Sequence, residues 1–379
     1  MSSLNETPCA NRVRISFFGL RNAGKSTLVN AFAGQEVALV SPVAGTTTDP
    51  VSKAMEILPL GPCLLTDTAG LDDIGALGEE RVRRTLEVLA VTDIAVWVSA
   101  GGDEDHPLLR GLSSDCAARN VPLVVYRRGD GVESLKSRLA SMRLEQAEIS
   151  LLDGLLPEGG TVVCVCPIDS SAPKGRLILP QVQVLREALD RHGICLVCQP
   201  SELTRTLEAA GNSPLVVTDS QAFGEVKKLV AGRDVRLTSF SILFARQKGD
   251  LSEYLRGLDA LQSLAEGDRV LVAEGCTHHR QCGDIGSVKI PKALEKLTGK
   301  KFSFTFASGS SFDLSAGEQG PVRLAVQCGG CMLTRREALR RIGLCRAAGV
   351  PVVNYGLLLA AANGLSGVRA DGLVPVLAE

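Results

Sequence analysis

Aromatic side chains are scarce. Phe, Tyr and Trp together make up 4% of the 379 residues, with one Trp and three Tyr. Proteins that grip single-stranded nucleic acid stack its bases on such rings, so this composition argues against a base-stacking platform. Neither sign of charge is in excess: 41 basic and 42 acidic residues leave a formal charge of -1, without the basic footprint of a nucleic-acid binder. No apolar run reaches the roughly 20 residues that carry a helix across a bilayer. The opening "MSSLNETPCANRVRISFFGL" has no basic stretch followed by a long apolar one, so no targeting segment is visible. These shortages predict a soluble protein with no membrane and no nucleic-acid partner. Its expected location is the cytoplasm, or the matrix of an anaerobic organelle in a eukaryote.

Cysteine, by contrast, is plentiful, with 12 residues. A reducing compartment disfavours a disulfide framework, so clustered thiols point to metal or redox chemistry and scattered ones to small core residues. The length predicts two or three cores. Apolar strands "RVRISFFGL", "CLLTDTAG", "DIAVWVSA", "VPLVVYRR" and "TVVCVCPID" are spaced by helical stretches, which predicts an α/β fold with a doubly wound parallel sheet over 1–175. The alternation restarts at "PQVQVLREALDRHG" and predicts a small second α/β domain over 176–266, in which "VRLTSFSILF" reads as a strand. A third α/β domain over 267–379 begins at "DRVLVAEGC".

"GLRNAGKS", Gly19 to Ser26, matches GxxxxGK(S/T) between a strand and a helix. Backbone N–H groups from Gly19 through Gly24 and on to Thr27 are placed to cradle phosphates, Lys25 to reach the outer phosphates and Ser26 to hold Mg²⁺. "DTAG", Asp67 to Gly70, closes an apolar strand with a carboxylate for the Mg²⁺ side and a Gly for the γ-phosphate. Between the two lies "GTTTDP", with hydroxyls at Thr46 and Thr47. Together these elements resemble the first three motifs of the TrmE-Era-EngA class of GTPases, and the resemblance makes Thr47 the Mg²⁺ ligand of the first switch. Leu71 stands where Ras-like enzymes carry a water-orienting Gln. Asn22 matches the Asn that related GTPases use to bind K⁺; the alternative role is to cap the loop. "RRGD" keeps Asp130 for the guanine edge but has Arg127 and Arg128 in place of Asn and Lys. "SSAPKG", with Ser171, Ala172 and Gly175, resembles the fifth motif of the class.

Cys195 and Cys198 lie three apart in an apolar strand and so on opposite faces; Cys164 and Cys166 share a face. Both pairs read as packing. "EGCTHHRQCGD" and "VQCGGC" differ, because Cys276 and Cys328 each follow a predicted strand, and Cys331 follows Gly329 and Gly330. Strand ends are where open α/β sheets build ligand crevices. Three thiolates with a nearby His, Cys or carboxylate suit zinc or an iron-sulfur cluster, and spacing alone does not choose between them.

The run "APKGRLILPQVQ", "LVVTDSQAF", "LTSFSILFARQKGDL", "EGCTHHRQCGDIGSVKIP" and "CGGCMLTRREAL" behind a GTPase resembles the HydF family of FeFe-hydrogenase maturation GTPases. The resemblance implies a GTPase domain, a dimerisation domain and hence a homodimer, and a third domain that binds a 4Fe-4S cluster. It also implies a scaffold that receives a diiron precursor made with two radical-SAM maturases and delivers it to apo FeFe-hydrogenase. Cys276, Cys328 and Cys331 match the cluster cysteines of the family. The family pattern reads CxH and then HCxxC; His278 fits the first, while Gln327 stands where the second His is expected. The fourth iron site is left to His278, Cys282, Asp284 or an exchangeable ligand.

Two readings of other classes compete: an RNA- or ribosome-associated GTPase, and a GTPase with a structural zinc domain. Arg335, Arg336, Arg340 and Arg341 form a basic run that either steers an anionic, cyanide-bearing cargo or is a solvated helix face.

Overall fold

The computed structural model describes residues 12–34, 51–72, 85–142, 150–168, 177–275, 285–308, 312–315, 320–329 and 333–375, with Gly175 and apart from single positions at 59, 86, 104, 366 and 370. It divides into two compact units, Met1–Gln146 and Ala147–Glu379.

In the first unit, strands β1 (Val13–Phe18), β2 (Val51–Ile57), β3 (Gly61–Asp67), β4 (Ile94–Ser99) and β5 (Leu123–Arg127) form one sheet in the order β2-β3-β1-β4-β5. All neighbours are parallel except the β2–β3 pair. Alternate residues of β1 divide between the two faces, as a pleated strand requires. Ile15 and Phe17 pack with Leu28, Val29 and Phe32 of helix α1 (Lys25–Ala33) and with Leu135 and Leu139 of α3 (Val132–Ala140). On the other face, Phe18, Ala95 and Trp97 meet Leu109, Leu112 and Cys116 of α2 (Pro107–Ala118). The expected doubly wound sheet is present.

The second unit holds two four-stranded parallel sheets. One runs β7-β6-β8-β9, from β6 (Thr161–Val165), β7 (Ile194–Cys198), β8 (Leu215–Thr218) and β9 (Arg236–Ser239). This corrects the boundary expected at residue 175. "TVVCV" is no strand of the nucleotide sheet; it lies between β7 and β8, with Val163 opposite Leu196 and Val216. The second correction concerns "VRLTSFSILF", which is a strand only as far as Ser239. There the Ser239 hydroxyl accepts from Ile242 N at 3.2 Å, caps helix α7 (Phe240–Lys248), and turns the apolar run helical.

The other sheet runs β11-β10-β12-β13, from β10 (Arg269–Ala273), β11 (Ser303–Ala307), β12 (Val322–Gln327) and β13 (Val352–Asn354). Helices α9 (Ile290–Thr298) and α11 (Tyr355–Ala362) cover one face. Helices α8 (Leu251–Asp259) and α10 (Arg335–Ala347) lie on the other side, where Tyr254, Ile342 and Cys345 share a core with Ala325 and Val352. At Gly257 of α8 a Cβ would stand 2.0 Å from Val352 O, so α8 is seated against this sheet. The expected boundary at 266 therefore moves to the Gly249–Asp250 turn that precedes α8. The two sheets share one core, because Val163, Val216 and Leu237 of the first cluster with Ala325 and Val352 of the second and with Tyr254 and Ile342 of the helices on it. A bridge from Leu237 to Val374 and a 2.8 Å bond from Thr238 Oγ1 to Gly372 O fasten the chain beyond α11 to β9.

Four α-helices, α4 (Leu179–Asp190), α5 (Leu203–Ala209), α6 (Phe223–Leu229) and α7, are associated with the β6–β9 sheet. Strand β7 is its outer edge and carries exposed Ile194 and Val197, with Val182 and Leu189 exposed on neighbouring α4. Among the described residues no helix is long and apolar enough to cross a membrane.

Candidate functional site

The phosphate loop leaves β1 at Gly19, whose φ of 154° and position leave no room for a side chain: a Cβ would stand 2.6 Å from Val98 O. Asn22 (φ 61°) and Gly24 (φ 93°) are left-handed, a conformation that Asn tolerates better than most residues and Gly adopts freely. Such a loop turns successive N–H groups inward as a nest for anions, and α1 starts directly from it at Lys25. Gly24, not Asn22, is the N-cap, and no side chain caps the helix. The capping role considered for Asn22 is thus not observed.

Lys25 is buried and its ammonium donates to Gly19 O at 3.2 Å and Leu20 O at 2.8 Å. Ser26 Oγ donates to Asp67 Oδ2 at 2.6 Å, while Asp67 Oδ1 is buried without a hydrogen-bond partner. Burial pushes the Asp67 carboxyl up, against the Ser26 hydrogen bond and the Lys25 charge. A buried carboxylate oxygen with open lone pairs beside a hydroxyl suits a hard divalent cation with oxygen ligands. Ser26 and Asp67 therefore fit Mg²⁺.

Gly70 comes so close to the phosphate loop that a Cβ would lie 2.9 Å from Arg21 N and Cα. Leu71 is buried and its N–H reaches Gly19 O at 3.3 Å. Asp72 is a feature that motif reading passes over. Its Oδ1 accepts from Arg21 N at 2.5 Å, and the only trace in sequence is the acidic pair after Leu71. Thr27 is exposed on the first turn of α1. Thr46, Thr47, Ser171 and Ala172 lie outside the described residues. Asp130 follows β5 by three residues, and its Oδ2 accepts from Arg127 N at 3.0 Å.

The candidate metal centre is at the carboxyl ends of β10 and β12, which are adjacent, with Ala273 opposite Gln327. Cys328 N donates to Ala273 O at 2.9 Å, and its Sγ accepts from Gly275 N at 3.1 Å. A backbone donor aimed at sulfur stabilises thiolate character, as metal-bound sulfur requires. Cys328 is only half-buried, whereas Cys63, Cys116, Cys164, Cys166 and Cys345 are buried. Burial pushes the thiols of Cys166 and Cys345 up to about 12, which marks them as packing residues. Cys195 and Cys198 do lie on opposite faces of β7, against different cores. Cys276, His278, Cys282, Asp284 and Cys331 lie outside the described residues. Among the described residues no group of three or more His, Cys, Asp or Glu is arranged to hold a metal.

Gln327 is buried and its Oε1 has no hydrogen-bond partner. Glu274, also buried, lies under Tyr355, whose hydroxyl is 3.5 Å from Oε1. Lys248 is buried too, and donates to Leu333 O at 3.3 Å. Gln327 is the residue at the position of the family's second His, while Glu274 and Lys248 had no motif to announce them.

The basic run is corrected in its role. Arg341 has no exposed surface; its Nε donates to Glu337 Oε1 at 2.7 Å, and Arg340 grips both oxygens of the same carboxylate at 2.6 and 2.9 Å. Arg335 donates to Gln247 O at 2.5 Å and Gly249 O at 3.2 Å. Arg340 and Arg341 are thus spent on a carboxylate of their own helix, and Arg335 ties the start of α10 to the end of α7.

An anion nest, a buried Lys, a Ser–Asp pair fit for Mg²⁺ and a Gly-tight switch loop, on a doubly wound sheet, define a P-loop GTPase followed by a larger α/β unit. Three family models agree in chain order: "50S ribosome-binding GTPase" over residues 14–126, "Hydrogen maturase F dimerization domain" over 151–249 and "Hydrogen maturase F tetramerization domain" over 252–368. The two maturase models together match more than half of the chain, which belongs to the hydrogen maturase F family, GTPases of hydrogenase maturation.

Relatives of the first unit include tRNA modification GTPase MnmE of Rhizorhabdus wittichii, 37% identical over 159 residues, or 39% of this chain and 33% of that protein. The MnmE of Rhodopseudomonas palustris is 40% identical over 98 residues, or 26% of this chain and 22% of that protein. The chain thus spans a third or less of the length of these relatives. A crystal structure of Aquifex aeolicus Era bound to GDP.AlF4- aligns over 78% of this chain and 92% of that one, at 15% identity and a TM-score of 0.27.

Proposed function

We propose that this protein is a GTP-hydrolysing scaffold that binds a 4Fe-4S cluster, carries the diiron precursor of the FeFe-hydrogenase active site and transfers it to the apo-hydrogenase. The observation that carries the proposal is the thiol of Cys328 at the joined ends of β10 and β12, with Gly275 N–H on its sulfur, in a chain whose first unit has an intact nucleotide loop. Cys276 and Cys331 complete the thiolate set, with His278, Cys282, Asp284 or an exchangeable donor at the fourth iron. When bound, the cluster supplies an iron site to which a second metal fragment can attach.

In the first unit, the loop from Gly19 to Thr27 and Lys25 hold the phosphates, Ser26 and Thr47 hold Mg²⁺ beside Asp67, Thr46 closes over it, and Gly70 senses the γ-phosphate. Leu71 has no group with which to orient water, so the charge-stabilising role falls to K⁺ at Asn22. Radical-SAM maturases supply the diiron cargo. Two copies join through β7, whose outer edge is unpaired among the described residues and whose exposed Ile194 and Val197 suit antiparallel pairing about a two-fold axis. The protein works in the cytoplasm.

Metal analysis after anaerobic reconstitution tests the reading. Cys328→Ser is expected to lose most of the bound iron, whereas Lys25→Ala abolishes turnover and keeps the iron, since the two residues lie in separate units. Zinc in place of iron in the wild-type protein, or full iron in Cys328→Ser, refutes the cluster assignment.

A further inference from the structure

Hydrolysis of a phosphoanhydride needs a water held in line with the γ-phosphorus, and the Gln that does this in Ras-like enzymes has no counterpart here. Leu71 stands in its place, buried, with its N–H spent on Gly19 O at 3.3 Å. The following residue differs. Asp72 is only half-buried, and its carboxylate bends back to the phosphate loop, where Oδ1 accepts from Arg21 N at 2.5 Å.

Two further contacts place this carboxylate at the γ-phosphate end of the loop. Lys25, whose ammonium serves the outer phosphates, donates to Leu20 O at 2.8 Å. Leu20 O and Arg21 N belong to the same peptide group, which is therefore held at its oxygen by the ammonium and at its nitrogen by the carboxylate. Gly70, assigned to the γ-phosphate, closes on the same group: a Cβ on it would lie 2.9 Å from Arg21 N and 3.0 Å from Asp72 Oδ1.

The two carboxylates of this segment have different work. Asp67, at the end of β3, accepts from Ser26 Oγ at 2.6 Å and fits Mg²⁺. Asp72 has Oδ1 on Arg21 N, and among the described residues its Oδ2 has no hydrogen-bond partner. An ionised carboxylate accepts at both oxygens. Oδ1 therefore fixes the side chain while Oδ2 stays open to water.

We propose that Asp72 is a catalytic residue of this site, holding the attacking water on Oδ2 while Oδ1 stays anchored on Arg21 N. As the water oxygen bonds to the γ-phosphorus, the bond from that phosphorus to the β,γ-bridging oxygen breaks and its electron pair leaves with the diphosphate. The water proton passes to Oδ2 and from there to the released phosphate. The cation assigned to Asn22 stabilises charge and cannot take a proton, so the two roles are complementary. The proposal rests on the reading of the first unit as a GTP hydrolase and adds a residue to it.

Asp72→Asn separates this role from that of a mere clamp on the loop. Its amide oxygen still accepts from Arg21 N, while its NH₂ puts a donor where Oδ2 stood; turning the amide over would set two donors against each other. The full-length wild-type protein, Asp72→Asn and Asp72→Ala are compared in single turnover, with protein in excess over GTP in Mg²⁺ and K⁺, so that product release does not mask the chemical step. Affinity is read separately with a fluorescent, non-hydrolysable GTP analogue. The expected result is that both variants hydrolyse GTP about 100-fold more slowly, while Asp72→Asn binds the analogue as the wild type does. Hydrolysis by Asp72→Asn near the wild-type rate overturns the proposal and leaves Asp72 as a clamp, as does a loss of analogue binding in that variant. Absence of turnover in the wild-type protein refutes the hydrolase reading beneath it.

Discussion

Replacing Glu337 by Ala is the sharpest test of whether the basic run on α10 is scaffold or steering surface. The carboxylate is buried and receives Arg340 through both oxygens and Arg341 through Oε1, and Arg341 has no exposed surface. Removing one partner of a buried pair leaves the other charge without compensation, at a cost of about 3–5 kcal/mol. With a urea m-value of roughly 3 kcal/mol per molar, the unfolding midpoint of the second unit falls by roughly 1–1.7 M. Far-UV circular dichroism follows both units, while the single tryptophan, Trp97, lies buried in β4 of the first. A loss confined to the dichroism transition therefore places the damage in the second unit. The double variant Glu337→Leu/Arg341→Met removes both charges and should recover most of the loss. Acid sensitivity follows from the same pair. Burial alone would raise the Glu337 carboxyl, but the hydrogen bonds and charges of Arg340 and Arg341 outweigh it and hold the group below its ordinary value. A carboxyl lowered in the native state stabilises fully above its unfolded value of about 4.3, and that stabilisation is lost as pH falls through the lower native value. A midpoint shift below roughly 0.3 M for Glu337→Ala would refute the buried-pair reasoning.

Two further outcomes can be measured directly. Turnover of GTP should be faster in K⁺ than in Na⁺ at equal ionic strength, and Asn22→Ala should remove the difference; equal rates in the two salts would exclude a potassium site. Val197→Lys, on the open edge of β7, should shift the assembly measured by light scattering toward the monomer, because a charge on an edge strand opposes strand pairing; an unchanged mass would place the contact elsewhere.

The nucleotide site was legible in sequence because its chemistry is local. Gly19, Gly24, Lys25 and Ser26 sit at fixed offsets in one strand–loop–helix segment, and the Asp67-to-Gly70 element follows its own strand. Sheet membership is not local. "TVVCV" reads as a buried parallel strand whichever sheet receives it, since both faces must be apolar in either case; only pairing with Cys195 and Leu196 on one side and Leu215 and Val216 on the other assigns it. In "VRLTSFSILF" the apolar run hid a helix start, and the one cue was Ser239. The α10 arginines show the same limit. The Glu337-to-Arg341 spacing of one helical turn is visible in sequence, but the burial that makes it structural comes from packing against the shared core. Cys328 was legible as the end of a strand, while Gly275 as donor to its sulfur depends on β10 and β12 being neighbours.

The common core of the two sheets in the second unit sets the geometry of any assembly. Val163 and Leu237 of one sheet and Ala325 and Val352 of the other belong to one core, and the Leu237–Val374 bridge closes the unit again from its far end. Strand β7 and the Cys328 strand end therefore ride on a single block. In a dimer joined along β7, as proposed, the separation and mutual orientation of the two Cys328 strand ends would follow from the shape of that block, as the two ends of a beam follow its midpoint. A partner protein that engages both sites would measure that fixed span rather than the reach of a tether.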